Sequence, residues 1–89
     1  MKKITLDFFT DPGHAWVRFP LARLAELGML NEISPYSYQR GKYVFLEEDR
    51  DLGRLTARLQ REGYRVFNWK HHSTNRQSKI RGYASYGSN

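Results

Sequence analysis

The sequence has 89 residues, which is enough for one small domain. It contains no cysteine, which excludes disulfides and thiolate metal sites and suits a reducing compartment. The formal net charge of +6 is uneven, because residues 1–33, 34–64 and 65–89 carry net charges of 0, +1 and +5. A localised positive segment of this kind favours an anionic partner.

The N-terminal half of the sequence begins with a predicted β-hairpin and a helix. Apolar residues alternate with polar ones over residues 2–9, which predicts a half-buried strand. A turn at "TDPG" (10–13) leads into a second strand at 14–19. The periodicity of "LARLAEL" (21–27) then predicts a helix that ends at Gly28.

The same order of elements is predicted a second time. "PYSYQ" (35–39) and "KYVFLEE" (42–48) form a hairpin through a turn at 40–41, and the first of these strands is a candidate edge for pairing with another chain. The acidic residues that follow suit a helix N-terminus, where Asp49 or Asp51 would be the cap. A helix over 51–62 then carries a leucine stripe.

The last quarter of the sequence begins with a fifth strand at 64–69 and continues as a polar, basic segment. We therefore predict an α+β fold in the order ββαββαβ, with a small, mainly antiparallel sheet and two helices on one face. Residues 1–69 form the domain, and 70–89 form a basic C-terminal arm. Ile80 is an apolar residue among the cations of the arm, so we expect the arm to be partly docked on the domain.

No apolar stretch approaches the roughly 20 residues that span a bilayer. The apolar residues near the N-terminus are interrupted by Asp7 and by the turn at 11–13, which argues against a signal peptide. We expect a soluble, intracellular protein that does not bind membranes.

Four residues could form a catalytic or metal site if they converged. Asp11 and His14 share a turn, and Glu47 and Glu48 could supply the acids of a metal-dependent nuclease. Ordinary structural roles compete with this reading, because a turn is often capped by an aspartate and a helix N-terminus attracts acids. The adjacent His71–His72 pair would point to opposite faces of a strand, so the pattern predicts no metal and no cofactor.

The strongest functional signal is the basic arm. Its cations can neutralise phosphates, its neutral polar residues can hydrogen-bond to a nucleic acid, and its aromatic residues can stack on bases. Arginines at steps of four and three along the second helix would extend this surface if the helix lies beside the arm. The predicted nucleic-acid-binding residues are Lys70, Arg76, Lys79, Arg81, Tyr83, Trp69, Arg54, Arg58 and Arg61. The arm has two alternative interpretations: it binds an acidic surface of a host protein, or it is a passive tail.

The strings "FTDPGHAW", "SPYSYQRG", "LEED" and "NRQSKIRGYASY" together resemble a group of small proteins encoded by bacteriophages and prophages. The resemblance covers nearly the whole chain and implies an accessory protein in the cytoplasm of an infected bacterial cell. It does not identify any catalytic residue in this sequence. We therefore expect a nucleic-acid-binding accessory protein, with a non-enzymatic modulator of a host defence complex as the second hypothesis and a nuclease as the third.

Overall fold

The computed structural model describes residues 2–87 and has an α+β fold built on one six-stranded sheet. The strands are β1 (Lys2–Thr10), β2 (Ala15–Pro20), β3 (Tyr38–Arg40), β4 (Tyr43–Glu47), β5 (Tyr64–Ser73) and β6 (Ala84–Ser85), and the helices are α1 (Leu21–Glu26) and α2 (Asp51–Arg61). The strand order is β5-β1-β2-β4-β3-β6, and only the β1–β5 pair is parallel. The predicted fold class is confirmed. Met1 and the last two residues of the predicted arm lie outside the described part of the chain.

Alternating residues of the central strands divide the core between the two faces of the sheet. Val17 and Val44 point to the face that the helices cover, and both are fully buried there. Their neighbours Trp16 and Phe45 point the other way and form a second apolar cluster with Ile80. This follows from the two-residue period of a strand, which sends successive side chains to opposite faces.

The predicted end of α1 is confirmed in detail. Gly28 has a positive φ of 72°, which favours glycine because it has no Cβ. Its N–H donates to the carbonyl of Ala25, and the N–H of Met29 donates to that of Leu24. This pair of bonds closes the helix, and the fully buried Met29 packs in the core. Gly63, with φ of 87°, lies at the corresponding position after α2.

Strand β5 continues to Ser73, beyond the predicted end at residue 69. Its partner β1 runs to Thr10, so the main chain of residues 71–73 continues to pair with β1 despite its polar side chains. The register of the two strands shifts once, between Ile4 and Thr5, which makes Phe67 the extra residue of a bulge. The strand predicted at 35–39 begins only at Tyr38, and this strand, β3, lies inside the sheet and not at its edge because it pairs with both β4 and β6.

Residues 74–87, called here the C-terminal segment, begin on the face of the sheet opposite the helices. Ile80 lies in a short 3₁₀ helix at Lys79–Gly82, is 3% exposed, and packs with Trp16 and Phe45. The segment then forms β6 beside β3. Within residues 2–87, no helix has the length and apolar character required to cross a membrane.

Candidate nucleic-acid interface

The carboxylate of Asp11 links the C-terminal segment to the turn between β1 and β2 through hydrogen bonds. The side chain of Asp11 is fully buried and accepts hydrogen bonds from the N–H groups of Gly13 (3.0 Å) and His14 (2.9 Å) within its own turn. It also accepts from the N–H of Ser78 at 2.9 Å. The Arg81 guanidinium completes the group through Nε (2.7 Å) and Nη2 (2.8 Å). This network holds the segment across the sheet.

The same network determines the charge states of its two ionic members. The hydrogen bond from Arg81 is the main reason that the pKa of Asp11 lies well below its usual range, and backbone N–H donors add to this effect against the opposing effect of desolvation. The hydrogen bond to Asp11 in turn raises the pKa of Arg81. The Arg81 side chain therefore has a structural role in the ion pair with Asp11, although the sequence predicts that it contacts a phosphate.

A cleft of about 560 Å³, called here the basic cleft, lies between β1, β5 and the C-terminal segment. Its walls include three cations, Arg18, Arg76 and Lys79, and no carboxylate of residues 2–87. Neither Arg76 nor Lys79 forms an ion pair with any carboxylate in the described part of the chain. Both side chains are thus available to an anionic ligand. The lining residues are Phe9, Thr10, Arg18, Phe45, His72, Ser73, Thr74, Arg76, Gln77, Ser78, Lys79, Ile80 and Tyr83.

Aromatic rings form the apolar part of the basic cleft. Phe9 and His72 stack with their centroids 4.4 Å apart and their planes 13° apart. Phe45 lies behind them, 6.1 Å from Phe9 and 5.2 Å from Tyr83. The Arg18 guanidinium carbon lies 5.2 Å from the centre of the Phe9 ring, within the range of a cation–π contact. The cleft therefore combines cations with flat apolar surfaces.

Asp7 orients two of the groups beside the cleft. Its carboxylate lies 3.0 Å from Nε2 of His72 and 3.5 Å from Nη2 of Arg18. Burial alone would raise the pKa of Asp7, but the hydrogen bond with His72 and the charge of Arg18 outweigh it and lower the pKa. Lys70 is paired in register with Asp7, and its exposed side chain lies on this same face.

The arginines of α2 lie on the other side of the sheet, since α2 packs through Leu55 and Leu59 on the helix-covered face. Arg54 donates to the carbonyl of Glu32 at 2.5 Å. Arg58 donates to the carbonyl of Leu27 at 2.5 Å and to the Glu32 carboxylate at 2.7 Å. These two side chains hold the loop after α1. Helix α2 and the C-terminal segment therefore do not form the continuous positive surface that the sequence suggests.

Trp69 also points to the helix-covered face. It pairs in register with the buried Leu6 and meets Phe8 edge-on at 6.0 Å. Of the nine predicted residues, the structure gathers Arg76, Lys79 and Tyr83 in the basic cleft, with Lys70 on the same face. Arg81 lies in the ion pair with Asp11, and Trp69 lies with the arginines of α2 on the opposite face.

Of the acids in "LEED", Glu47 stabilises the start of α2. Glu47 accepts from the N–H groups of Asp49 (2.9 Å), Arg50 (2.7 Å) and Asp51 (2.9 Å), so the predicted cap at Asp49 or Asp51 is wrong. His14 and Glu47 line one cleft, whereas Glu48 lines another. Among residues 2–87, no three histidine or acidic side chains are grouped so that they could hold a metal ion.

The sequence does not predict four residues in or beside the basic cleft as binding residues: Phe9, Arg18 and His72 line it, and Asp7 contacts two of these side chains. The two-residue period of β1 does place Asp7 and Phe9 on one face, and that signal is visible in the sequence. Nothing local predicts that β5 runs parallel to β1 and brings His72 against both of them.

The chain matches no known protein-family model, and it has no significant match among curated proteins or solved structures. Its function therefore has to be inferred from the geometry and charge of its own surface. Among the clefts, the one between the sheet and the C-terminal segment combines several cations with aromatic walls and no lining carboxylate.

Proposed function

We propose that this protein binds single-stranded nucleic acid in the basic cleft. The observation that carries the proposal is the lining of the cleft, where three cations and several aromatic rings occur and no carboxylate of residues 2–87 is part of the lining. A polyanion gains from each phosphate that a cation neutralises, and two of these cations, Arg76 and Lys79, have no carboxylate partner among the same residues.

Phosphates are bound by the cations at the open side of the cleft. Arg76 and Lys79 are exposed and free of ion pairs among residues 2–87, so they contribute the largest share of the electrostatic attraction to phosphates. Arg18 lines the cleft and Lys70 lies on the same face of the sheet, and both add positive potential. Hydroxyl and amide groups of Thr74 and Gln77 provide neutral hydrogen bonds to phosphate or sugar oxygens.

Bases stack on the aromatic walls. Tyr83 and the Phe9–His72 stack are half-buried, so each keeps part of its ring accessible from the cleft. A fully engaged base–aromatic contact contributes roughly 1–3 kcal/mol. Unpaired bases can reach such rings, whereas the bases of a duplex are already stacked on one another. This favours a single strand, and the same cleft chemistry applies to DNA and to RNA.

The biological setting is part of the proposal. The resemblance to small phage and prophage proteins supports an accessory role in the cytoplasm of an infected bacterium, where single-stranded intermediates of DNA and messenger RNA are present. The second hypothesis, modulation of a host or defence complex, requires a protein-binding surface in addition to the basic cleft.

Fluorescence anisotropy of a labelled 12-nucleotide oligo(dT) or oligo(U) tests the proposal. We expect binding at low salt, and we expect the double variant Arg76→Ala/Lys79→Ala to weaken it at least about tenfold. The matched control is Lys42→Ala/Arg65→Ala, which removes the same charge from exposed positions outside the basic cleft. Absence of binding by the unmodified protein at low salt would overturn the proposal, as would equal losses in the two double variants.

A further inference from the structure

Strand β5 has a long outer edge that is not paired. It is the first strand in the sheet order, and within residues 2–87 only β1 pairs with it. The strand is ten residues long and contains no proline, whereas β6 at the opposite edge has two residues. Unpaired N–H and C=O groups along such an edge can accept another extended chain.

The charged side chains of β5 itself are all positive. The strand carries Arg65 and Lys70 and has no carboxylate; on its partner β1, Lys2 and Lys3 lie opposite its first residues, and Asp7 lies opposite Lys70. Two copies of the edge would bring like charges together, so pairing of the protein with itself is disfavoured. An acidic strand would place its carboxylates among these cations.

The edge also exposes apolar surface. Phe67 is 58% exposed and Trp69 is 36% exposed, which are high values for such large apolar side chains. Beside the strand, Trp69, Val66 and Leu52 contribute apolar surface to an open cleft of about 740 Å³ between β5 and α2, which Glu48 also lines. An apolar side chain of a docked strand would find contacts there.

We propose that the outer edge of β5 docks an extended acidic segment of a partner protein by strand addition. Main-chain hydrogen bonds would provide affinity, and an apolar side chain of the segment inserted beside Trp69 would provide specificity. The site lies at the opposite side of β5 from its β1 pairing and uses Trp69 on the helix-covered face. It shares Lys70 with the proposed nucleic-acid site, whereas Arg76 and Lys79 belong to the basic cleft alone.

The probe is a decapeptide of alternating glutamate and valine with one central leucine. We expect slowed amide hydrogen exchange along β5 and a shift of the Trp69 indole NMR signal on titration. A peptide with proline in place of alternate valines cannot donate the strand bonds, and a peptide with lysine in place of glutamate has the wrong charge. Each should bind at least about tenfold more weakly.

Two variants test the protein side of the contact. Arg65→Glu reverses an exposed charge on the edge, and Phe67→Ser removes the exposed ring; each should weaken peptide binding at least about tenfold. Arg76→Ala/Lys79→Ala should bind the peptide normally while losing the oligonucleotide, which separates a failure of this proposal from a failure of the first. No peptide binding at about 1 mM, tight binding of the proline peptide, or protection of residues away from β5 would each overturn the proposal. If a variant fails to fold, the two control peptides decide the question.

Discussion

Replacement of Asp51 by alanine should destabilise the protein far more than any other change in the acidic cluster 47–51. Asp51 is fully buried in the first turn of α2. Its carboxylate accepts from the N–H of Ser34 (3.1 and 3.0 Å), from the hydroxyl of Ser34 (2.6 Å) and from the hydroxyl of Ser37 (2.5 Å). Ser37 in turn accepts from the N–H of Glu47 at 3.0 Å, which ties the loop to the end of β4.

The magnitude follows from the donors that would lose their acceptor. Three buried donors would remain unpaired, and each costs about 1–3 kcal/mol, so the free energy of unfolding should fall by at least about 3 kcal/mol. For a domain of this size that loss lowers the melting temperature by about 12–24 °C. Thermal and urea denaturation followed by circular dichroism measure both quantities. Asp49→Ala is the control, since Asp49 is exposed and its side chain has no hydrogen bond among the described residues. A loss below about 1 kcal/mol for Asp51→Ala would refute the reasoning.

Two further outcomes are expected from the ion pairs. Arg58→Ala removes the bonds to the Leu27 carbonyl and to the loop after α1, so it should cost about 1.5–3 kcal/mol in urea denaturation, whereas the exposed Arg61→Ala should change stability by less than about 0.5 kcal/mol. Equal effects would contradict the structural role of Arg58. Asp11→Asn should be less stable than the unmodified protein at neutral pH. The difference in the free energy of unfolding should shrink as pH falls below about 4, because the bonds that lower the pKa of Asp11 stabilise the fold only while its carboxylate is ionised. A gap in the urea midpoint that stays constant from pH 7 to 2 would show that the ion pair with Arg81 does not stabilise the fold.

Much of the fold can be predicted from local patterns. Alternation over residues 2–9 predicts β1, and the turn residues at 10–13 and 40–41 predict the hairpins β1–β2 and β3–β4. Gly28 and Gly63 mark the ends of both helices because only glycine adopts a positive φ readily. These features depend on a few neighbouring residues. The burial of Ile80 agrees with the expectation that an apolar residue among cations docks on the body of the protein.

The arrangement of the candidate site depends on contacts between residues far apart in the sequence. The parallel pairing of β5 with β1 brings His72 to Asp7, and no local pattern specifies the partner of a strand. The same holds for the arginines of α2. Their spacing predicts one helical face, but the sequence does not reveal that Arg58 reaches the carbonyl of Leu27.

The acids and cations of the sequence also compete for structural and functional roles. Asp11 and Arg81 each have the chemistry of a site residue when considered alone, yet they form an ion pair with one another in which the carboxylate is buried. Arg76 and Lys79 have no such partner among residues 2–87, and this difference makes them the stronger candidates for ligand contacts. The three-dimensional structure thus identifies which of the many cationic side chains in the sequence are accessible to an anionic ligand.

The salt dependence of oligonucleotide binding tests the central claim most directly. If Lys70, Arg76 and Lys79, which form no ion pair among residues 2–87, each neutralise one phosphate of a single strand, a plot of log Kobs against log salt should have a slope of about −2.1. Arg76→Ala/Lys79→Ala should reduce the slope to about −0.7, and Lys42→Ala/Arg65→Ala should leave it unchanged. A slope near zero, or the same change of slope in both double variants, would contradict nucleic-acid binding through the basic cleft.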